Sequence, residues 1–466
     1  MILKKTKSLS KNDIITLEIE DITNLGFGVG KHEGAVVFVS GAVTGDVAKV
    51  KIIKTASSYY VGKVEEFIFT SGIRGEDRCK NARCHACAYR NIKYEEELKI
   101  KENIIRSAFL KEGLSDIDVM PTVPSPKLTE YRNKAQYPIS KTRNGEYVIG
   151  FYAPKSHSVC EAASCPMAPT VFSEILEVLR SFFKKYDLSV YDEKNGKGLL
   201  RHIYLRRGEV SGEILVTVVI NGEKLPFADE LVSILTEKFT KIVGILINVN
   251  KEDTNIILGK EYKILYGRDY ITDTLAGAKL KITAPAFYQI NHGTATLIYE
   301  EARRLAKLEK SDTLLDLYCG AGSIGLSMAE DAGELIGIEI IDSAVECARQ
   351  NAELCGIVNA KFYTGDAKNT EAMLENAERA LGRKIKPDVI ILDPPRAGCD
   401  EALLSYVASL SPKRVIYISC NPTTLARDVK RMRALGYDTS KVAGLDMFPL
   451  TGHVESVVCL TRRLDN

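Results

Sequence analysis

The chain has 466 residues, too many for one hydrophobic core, so two to four domains are expected. A formal net charge of +2 excludes the whole-molecule field of a strongly basic polyanion binder, so any affinity for nucleic acid must come from charge clustered on one face. No apolar run reaches the roughly 20 residues that span a bilayer, and no signal-length apolar segment follows the basic start, so a cytoplasmic protein is expected, with a monomer as the default.

Residues 1–69 are expected to form a small five-stranded barrel of the OB type. Short alternating runs are separated by glycine turns at 26–30, 41 and 45, and no helical segment follows the first of these as a phosphate loop requires. Eleven cysteines without a secretion signal argue for thiol chemistry or metal ligation rather than a disulfide framework. Three sit close together as Cys79-x4-Cys84-x2-Cys87. A fourth candidate is Cys165, with Cys160 nearby, and four thiolates suit tetrahedral zinc or a 4Fe-4S cluster equally.

Residues 94–111 read as a helix with Leu98, Ile100, Ile104, Ile105, Phe109 and Leu110 on its apolar side, ended by Gly113. Residues 70–275 together form an α+β domain. Its strands are expected at 146–152, 200–207, 213–220 and 244–250, and its helices at 168–186 and 227–238. Arg132, Lys134, Arg143, Arg201, Arg206 and Arg207 are candidate phosphate contacts within it. Residues 276–466 alternate strand and helix patterns, with strands at 313–317, 334–339, 389–392 and 415–419, which predicts a doubly wound, Rossmann-like parallel sheet.

The stretch Asp316-Leu-Tyr318-Cys-Gly320-Ala-Gly322 places a glycine-rich turn between a strand and a helix, where backbone approaches a ligand. An acid before the glycines repels a pyrophosphate and suits a cationic ligand such as S-adenosylmethionine. Glu339 ends the next strand, in position for ribose hydroxyls, and Asp366 follows along the same sheet edge, near the adenine.

Asp393-Pro-Pro-Arg396 ends another strand with an acid held by two stiff residues. Ser419-Cys420-Asn421-Pro422 puts a thiol at a strand end beside a helix N-terminus, a position that lowers a thiol pKa. Glu455 opens a final apolar strand, where burial would raise its pKa as a general base needs. A methyl donor, a thiol and a carboxylate fit methylation of uracil carbon 5. Thiolate addition at carbon 6 makes carbon 5 nucleophilic, and a base then removes its proton.

On these motifs, with Phe287-Tyr-Gln289-Ile-Asn291 and His453-Val-Glu455-Ser456, the chain resembles the RNA uracil-5-methyltransferase family, in its branch acting on 23S ribosomal RNA. Residues 21–30 and 41–50 resemble a TRAM domain, an RNA-binding barrel. The resemblance implies cofactor contacts from Gln289, Tyr318, Glu339, Asp366 and Asp393, with Cys420 as nucleophile and Glu455 as base. It also implies a 4Fe-4S cluster on Cys79, Cys84, Cys87 and Cys165, although the first cysteine interval is one residue shorter than relatives usually have. A tRNA uridine is the rival substrate, and a purine amino-methyltransferase, which has no use for Cys420, is the rival chemistry.

Overall fold

Strict alternation builds the N-terminal sheet. In the Ile14–Glu18 strand only Ile15 and Leu17 turn inward, to meet Val37, Val39, Ala48, Val50 and Ile52. The computed structural model describes residues 9–463, apart from 80, 82, 155, 162–164, 368 and 371. The sheet runs in the order Ile14–Glu18, Val47–Thr55, Tyr59–Phe69, Ala35–Ser40, Phe27–His32, Asp21–Ile22. It has six strands rather than the expected five, because the two-residue Asp21–Ile22 segment, too short to show alternation, pairs with Val29 and Gly28. The glycine cluster serves chain crossing: a Cβ on Gly30 would lie 2.4 Å from the Glu18 carbonyl oxygen.

The central sheet has seven strands, ordered Val159–Glu161, Tyr147–Tyr152, Lys134–Lys141, Leu200–Arg207, Ile214–Ile220, Ile242–Val249, Glu261–Gly267. The amphipathic helices Thr170–Lys185 and Ala228–Lys238 cover one face, where Phe172, Leu176, Leu179 and Phe183 meet Ile203, Leu205, Val216 and Val218. The Lys134–Lys141 strand keeps an inward alternation of Ala135, Tyr137 and Ile139, but Pro138 in the middle of the run argues against a strand at the level of sequence.

In the C-terminal sheet, Ala360–Thr364, Glu334–Glu339, Thr313–Leu317, Val389–Leu392 and Arg414–Ser419 lie side by side and parallel. Their near-continuous apolar runs, such as the fully buried Val389-Ile-Ile-Leu392, follow from helices on both faces. The parallel pattern does not extend to the far edge, since Glu455–Arg462 enters antiparallel beside Arg414–Ser419 and Lys441–Leu445 pairs antiparallel beyond it. Asp118–Val119, far earlier in the chain, completes that edge.

The Tyr94–Lys111 helix holds this edge with a buried face that runs Glu97, Lys101, Ile105, Ala108, Phe109, while Leu110 points to solvent. Lys101 is fully buried and donates 2.6 Å bonds to Glu97 and to Asp446, and a third bond of 3.1 Å to the Phe448 carbonyl. Glu97 also accepts from the Leu450 N–H at 2.7 Å, and the Tyr94 hydroxyl donates to Asp446 at 2.9 Å. This network fixes residues 446–450, which lead to Glu455. Removing one member of such a group leaves an uncompensated buried charge. Lys101→Met is therefore expected to cost about 3–5 kcal/mol in urea unfolding. Lys99→Met, at an exposed pair with Glu96, should leave the midpoint unchanged.

Candidate active site

Sheet register gathers the sequence-predicted residues at one edge. Leu317 pairs with Ile338 and Leu392, and Leu392 with Tyr417, so Tyr318, Glu339 and Asp393 leave the sheet together. Ser419 pairs with Ser456 across the antiparallel junction, which sets Cys420 and Glu455 at the next position, facing each other over the strand ends.

The Asp393-Pro-Pro-Arg396 turn is tied to the helix that follows Cys420. Asn421, the N-cap of the Pro422–Ala434 helix, donates from its side chain to the Arg396 carbonyl at 3.0 Å, and the Thr424 hydroxyl donates to the same oxygen at 3.3 Å. Arg427 donates to the Ala397 and Cys399 carbonyls, while Asp428 accepts from the Cys399 N–H and the Tyr417 hydroxyl. The Arg396 side chain is thereby brought within hydrogen-bonding reach of the Cys420 thiol.

Electrostatics differ from expectation at Cys420. Burial, and the neighbouring Glu455 carboxyl, push the thiol above its ordinary value, and Arg396 opposes them. Asn421 caps the helix that follows, its side-chain oxygen accepting from the Thr423 N–H at 3.1 Å. Glu455 is 6% exposed, and burial, reinforced by Asp393, pushes its carboxyl up to about 8 against the pull of Arg396. Burial alone raises Asp393 to about 7.

At the glycine turn, Glu339 accepts from the Gly320 and Ile341 N–H groups, both at 3.1 Å, which locks the loop to the neighbouring strand end. Tyr318 holds a left-handed conformation with φ +66°. Gly322, with φ +80°, packs so closely that a Cβ would sit 3.0 Å from the Phe362 ring. Beneath the turn, Asp316 accepts from the Gly325 N–H at 3.0 Å while its second carboxylate oxygen is buried without a partner. Burial raises this acid to about 8. Gln289 lies on the segment before the His292–Ala306 helix, its carbonyl accepting from the Asn133 side chain at 2.7 Å. Asp366 follows the Ala360–Thr364 strand on the same edge.

Comparison with known proteins decides what this edge belongs to. The family model for tRNA (uracil-5-)-methyltransferase matches residues 93–463, and that for the TRAM domain matches residues 10–64. An uncharacterized RNA methyltransferase of Oceanobacillus iheyensis is 37% identical over 100% of both chains, and one of Clostridium tetani is 36% identical over 98% of both. The crystal structure of Pyrococcus abyssi tRNA (uracil-54, C5)-methyltransferase, in complex with S-adenosyl-L-homocysteine, superposes with a TM-score of 0.76. It is 25% identical and covers 96% of this chain and 100% of its own. The chain belongs to the tRNA (uracil-5-)-methyltransferase family. It is a TRAM-containing RNA methyltransferase that uses S-adenosylmethionine. The glycine turn fits that ligand, since an orphaned buried acceptor at Asp316 and paired acids at a strand edge suit a cation with ribose hydroxyls.

In this methyltransferase the cysteines of the N-terminal half share a neighbourhood. Cys79, Cys84 and Cys165 all bear on Cys87, which burial pushes up to about 12 against the pull of Arg132. Cys87 and Cys165 pack together against Tyr131, Met167 and Leu450, while Cys160 spends its thiol on the Phe151 carbonyl at 3.1 Å. Among the described residues, no group of three or more His, Cys, Asp or Glu closes into a metal-holding arrangement. No helix among them is long and apolar enough to cross a membrane.

Sequence reasoning missed Glu97, Lys101 and Asp446, and gave Arg396 no role at the site. The i,i+4 spacing of Glu97 and Lys101 with Ile105 was the available signal, but a buried charge on an apolar face reads as a solvated one. The buried Glu455 carries a pH signature. The folded protein keeps its proton to about pH 8, whereas an unfolded glutamate releases it near 4.5, so this group costs stability as pH rises across that window. Glu455→Gln should match the native protein in thermal stability below that window and exceed it at neutral pH, by about 1–2 kcal/mol or a few degrees in Tm.

Proposed function

We propose that this protein methylates carbon 5 of a uridine in 23S ribosomal RNA, with Cys420 as nucleophile and Glu455 as general base. The observation that carries the chemistry is the facing pair at the junction of Arg414–Ser419 and Glu455–Arg462. A thiol and a buried carboxylate on opposite strands can address adjacent ring atoms of one base. A purine amino-methyltransferase needs neither. S-adenosylmethionine supplies an electrophilic methyl group.

The Cys420 thiolate adds to carbon 6, which passes its electrons to carbon 5 as an enolate. Arg396, beside the sulfur, stabilises the thiolate that burial opposes. Carbon 5 takes the methyl group and S-adenosylhomocysteine departs. The Glu455 carboxylate then removes the carbon 5 proton, the 5,6 double bond re-forms and the thiolate is expelled. Once ionised, Glu455 is a stronger base than a surface glutamate because its pKa is raised, so this step should quicken as pH rises towards 8. Gln289, Tyr318, Glu339, Asp366 and Asp393 hold the methyl donor against the sheet edge in this reading.

Choice of 23S over transfer RNA rests on the resemblance of the motif set to that branch. The Pyrococcus abyssi structure is named for tRNA, so tRNA is the alternative. Incubation of unmodified total RNA with labelled methyl donor should put label into 5-methyluridine of 23S RNA; label in tRNA would replace the substrate and keep the chemistry. Cys420→Ala should abolish transfer. Glu455→Gln should still methylate carbon 5 but accumulate protein–RNA adduct, with turnover lowered roughly 10²–10⁴-fold.

The resemblance also assigns a 4Fe-4S cluster to Cys79, Cys84, Cys87 and Cys165. Their shared neighbourhood supports this, as does Arg132, whose buried Nε has no partner beside Cys87 and Cys165 and whose charge suits an anionic cluster. A cluster here would join the segment before the Tyr94–Lys111 helix to the central sheet. Anaerobically purified protein should carry about four iron and four sulfide per chain, and Cys87→Ser should lose both; one zinc per chain and no sulfide would refute the assignment.

A further inference from the structure

The face of the central sheet away from its two helices carries charge that no ion pair among the described residues neutralises. Lys134 and Arg206 stand directly opposite each other on the antiparallel strands Lys134–Lys141 and Leu200–Arg207. Like charges in that relation destabilise a sheet. Arg206 is 1% exposed, yet its partners are all neutral. It donates to the Tyr204 hydroxyl at 2.7 Å, to the Ala286 carbonyl at 2.7 Å and to the Ala284 carbonyl at 3.3 Å. Its Nε is buried without an acceptor. The charged groups that bear on Lys134 are Arg206 and Arg132, both cations.

A guanidinium cannot shed its proton to escape burial, so a buried arginine without a counter-charge is held at a cost. The cost is recovered when an anion arrives. The same sheet face carries more unspent polarity, for the Tyr262 hydroxyl and the Thr217 hydroxyl, which pairs across from Tyr204, are also buried without partners. Position narrows the ligand. Ala284 and Ala286 belong to the segment that runs on to Gln289, and Asn133, next to Lys134, donates to the Gln289 carbonyl. Across this seam His453, two residues before Glu455, feels the charge of Arg132. This seam therefore lies beside the active-site edge.

We propose that Lys134 and Arg206 form a binding site for a backbone phosphate of the RNA strand, close to the nucleotide that enters the active site. Phosphate offers several acceptor oxygens, and so serves the ammonium and the guanidinium edge together. The inference rests on the RNA-methyltransferase reading and names where part of the RNA is gripped. Lys134 is the residue to vary, because Arg206 also ties down the 284–286 segment.

The test measures affinity of the full-length protein for a single-stranded RNA that it methylates, over a range of salt concentration. Lys134→Ala should weaken binding several-fold and flatten the slope of log affinity against log salt by about 0.7, the loss of one phosphate contact on a single strand. Lys134→Arg should restore both. Burial and the two arginines lower the Lys134 pKa to about 8. Native affinity should therefore fall as pH rises above that value, and the arginine variant, charged throughout, should not show that fall. An unchanged salt slope in Lys134→Ala overturns the proposal, whether affinity is kept or lost. So does a loss of S-adenosylhomocysteine affinity with RNA affinity intact, which would make the cations a carboxylate site for the cofactor. If no transcript is methylated, salt slopes measured with a single-stranded fragment of 23S RNA still decide the phosphate site, while the reaction assigned above fails separately.

Discussion

The antiparallel pairing of Glu455–Arg462 with Arg414–Ser419 is the constraint on which this site depends. The parallel strands deliver acids and glycines to one edge, as such sheets do for many ligands. A parallel strand alone could not bring a residue that begins a strand to that edge. Reversing the last strand puts its first residue, Glu455, at the edge where the Arg414–Ser419 strand ends and Cys420 follows. A one-residue slip would turn the carboxylate to the opposite face of the sheet.

The rest of the molecule reads as support for that pairing. Residues 446–454 are gripped from several directions: Lys101 and Glu97 from the Tyr94–Lys111 helix, the Tyr131 hydroxyl on the Pro449 carbonyl at 3.2 Å, and the Tyr89 N–H on the Leu450 carbonyl at 2.9 Å. Asn291 caps its own helix and also donates to the Met447 carbonyl. The TRAM sheet reaches in as well, since Gly452 lies so close to Asn24 that any Cβ would collide with its backbone. Each part of the chain thus bears on the loop before Glu455. Rigid support of this kind is what a base needs when it must meet one proton on one face of a ring.

Much of this was legible in the sequence. The strands Leu200–Arg207, Thr313–Leu317, Glu334–Glu339 and Val389–Leu392 and the Tyr94–Lys111 helix are visible as period or as unbroken apolar runs bounded by breakers. The burial of Glu455 follows from its apolar strand. What stayed hidden depends on contacts between distant segments. The buried face of the Tyr94–Lys111 helix is rotated from the one its aliphatic residues suggest, because Lys101 finds Asp446 345 positions away. The thiol of Cys420 is raised rather than lowered, because burial opposes its ionisation and Glu455 stands opposite. Lys134 and Arg206 look like ordinary strand-flanking charges until register sets them face to face.

The most direct measurement uses RNA transcribed with 5-fluorouridine, in which carbon 5 carries fluorine in place of the proton that Glu455 would remove. With S-adenosylmethionine present, the protein should stall as a covalent complex. Mass spectrometry of its digest should find a methylated fluorouracil bonded through carbon 6 to the Cys420 sulfur. A complex mapped to another residue, or full turnover with no covalent species, would contradict the role given to the Cys420–Glu455 pair.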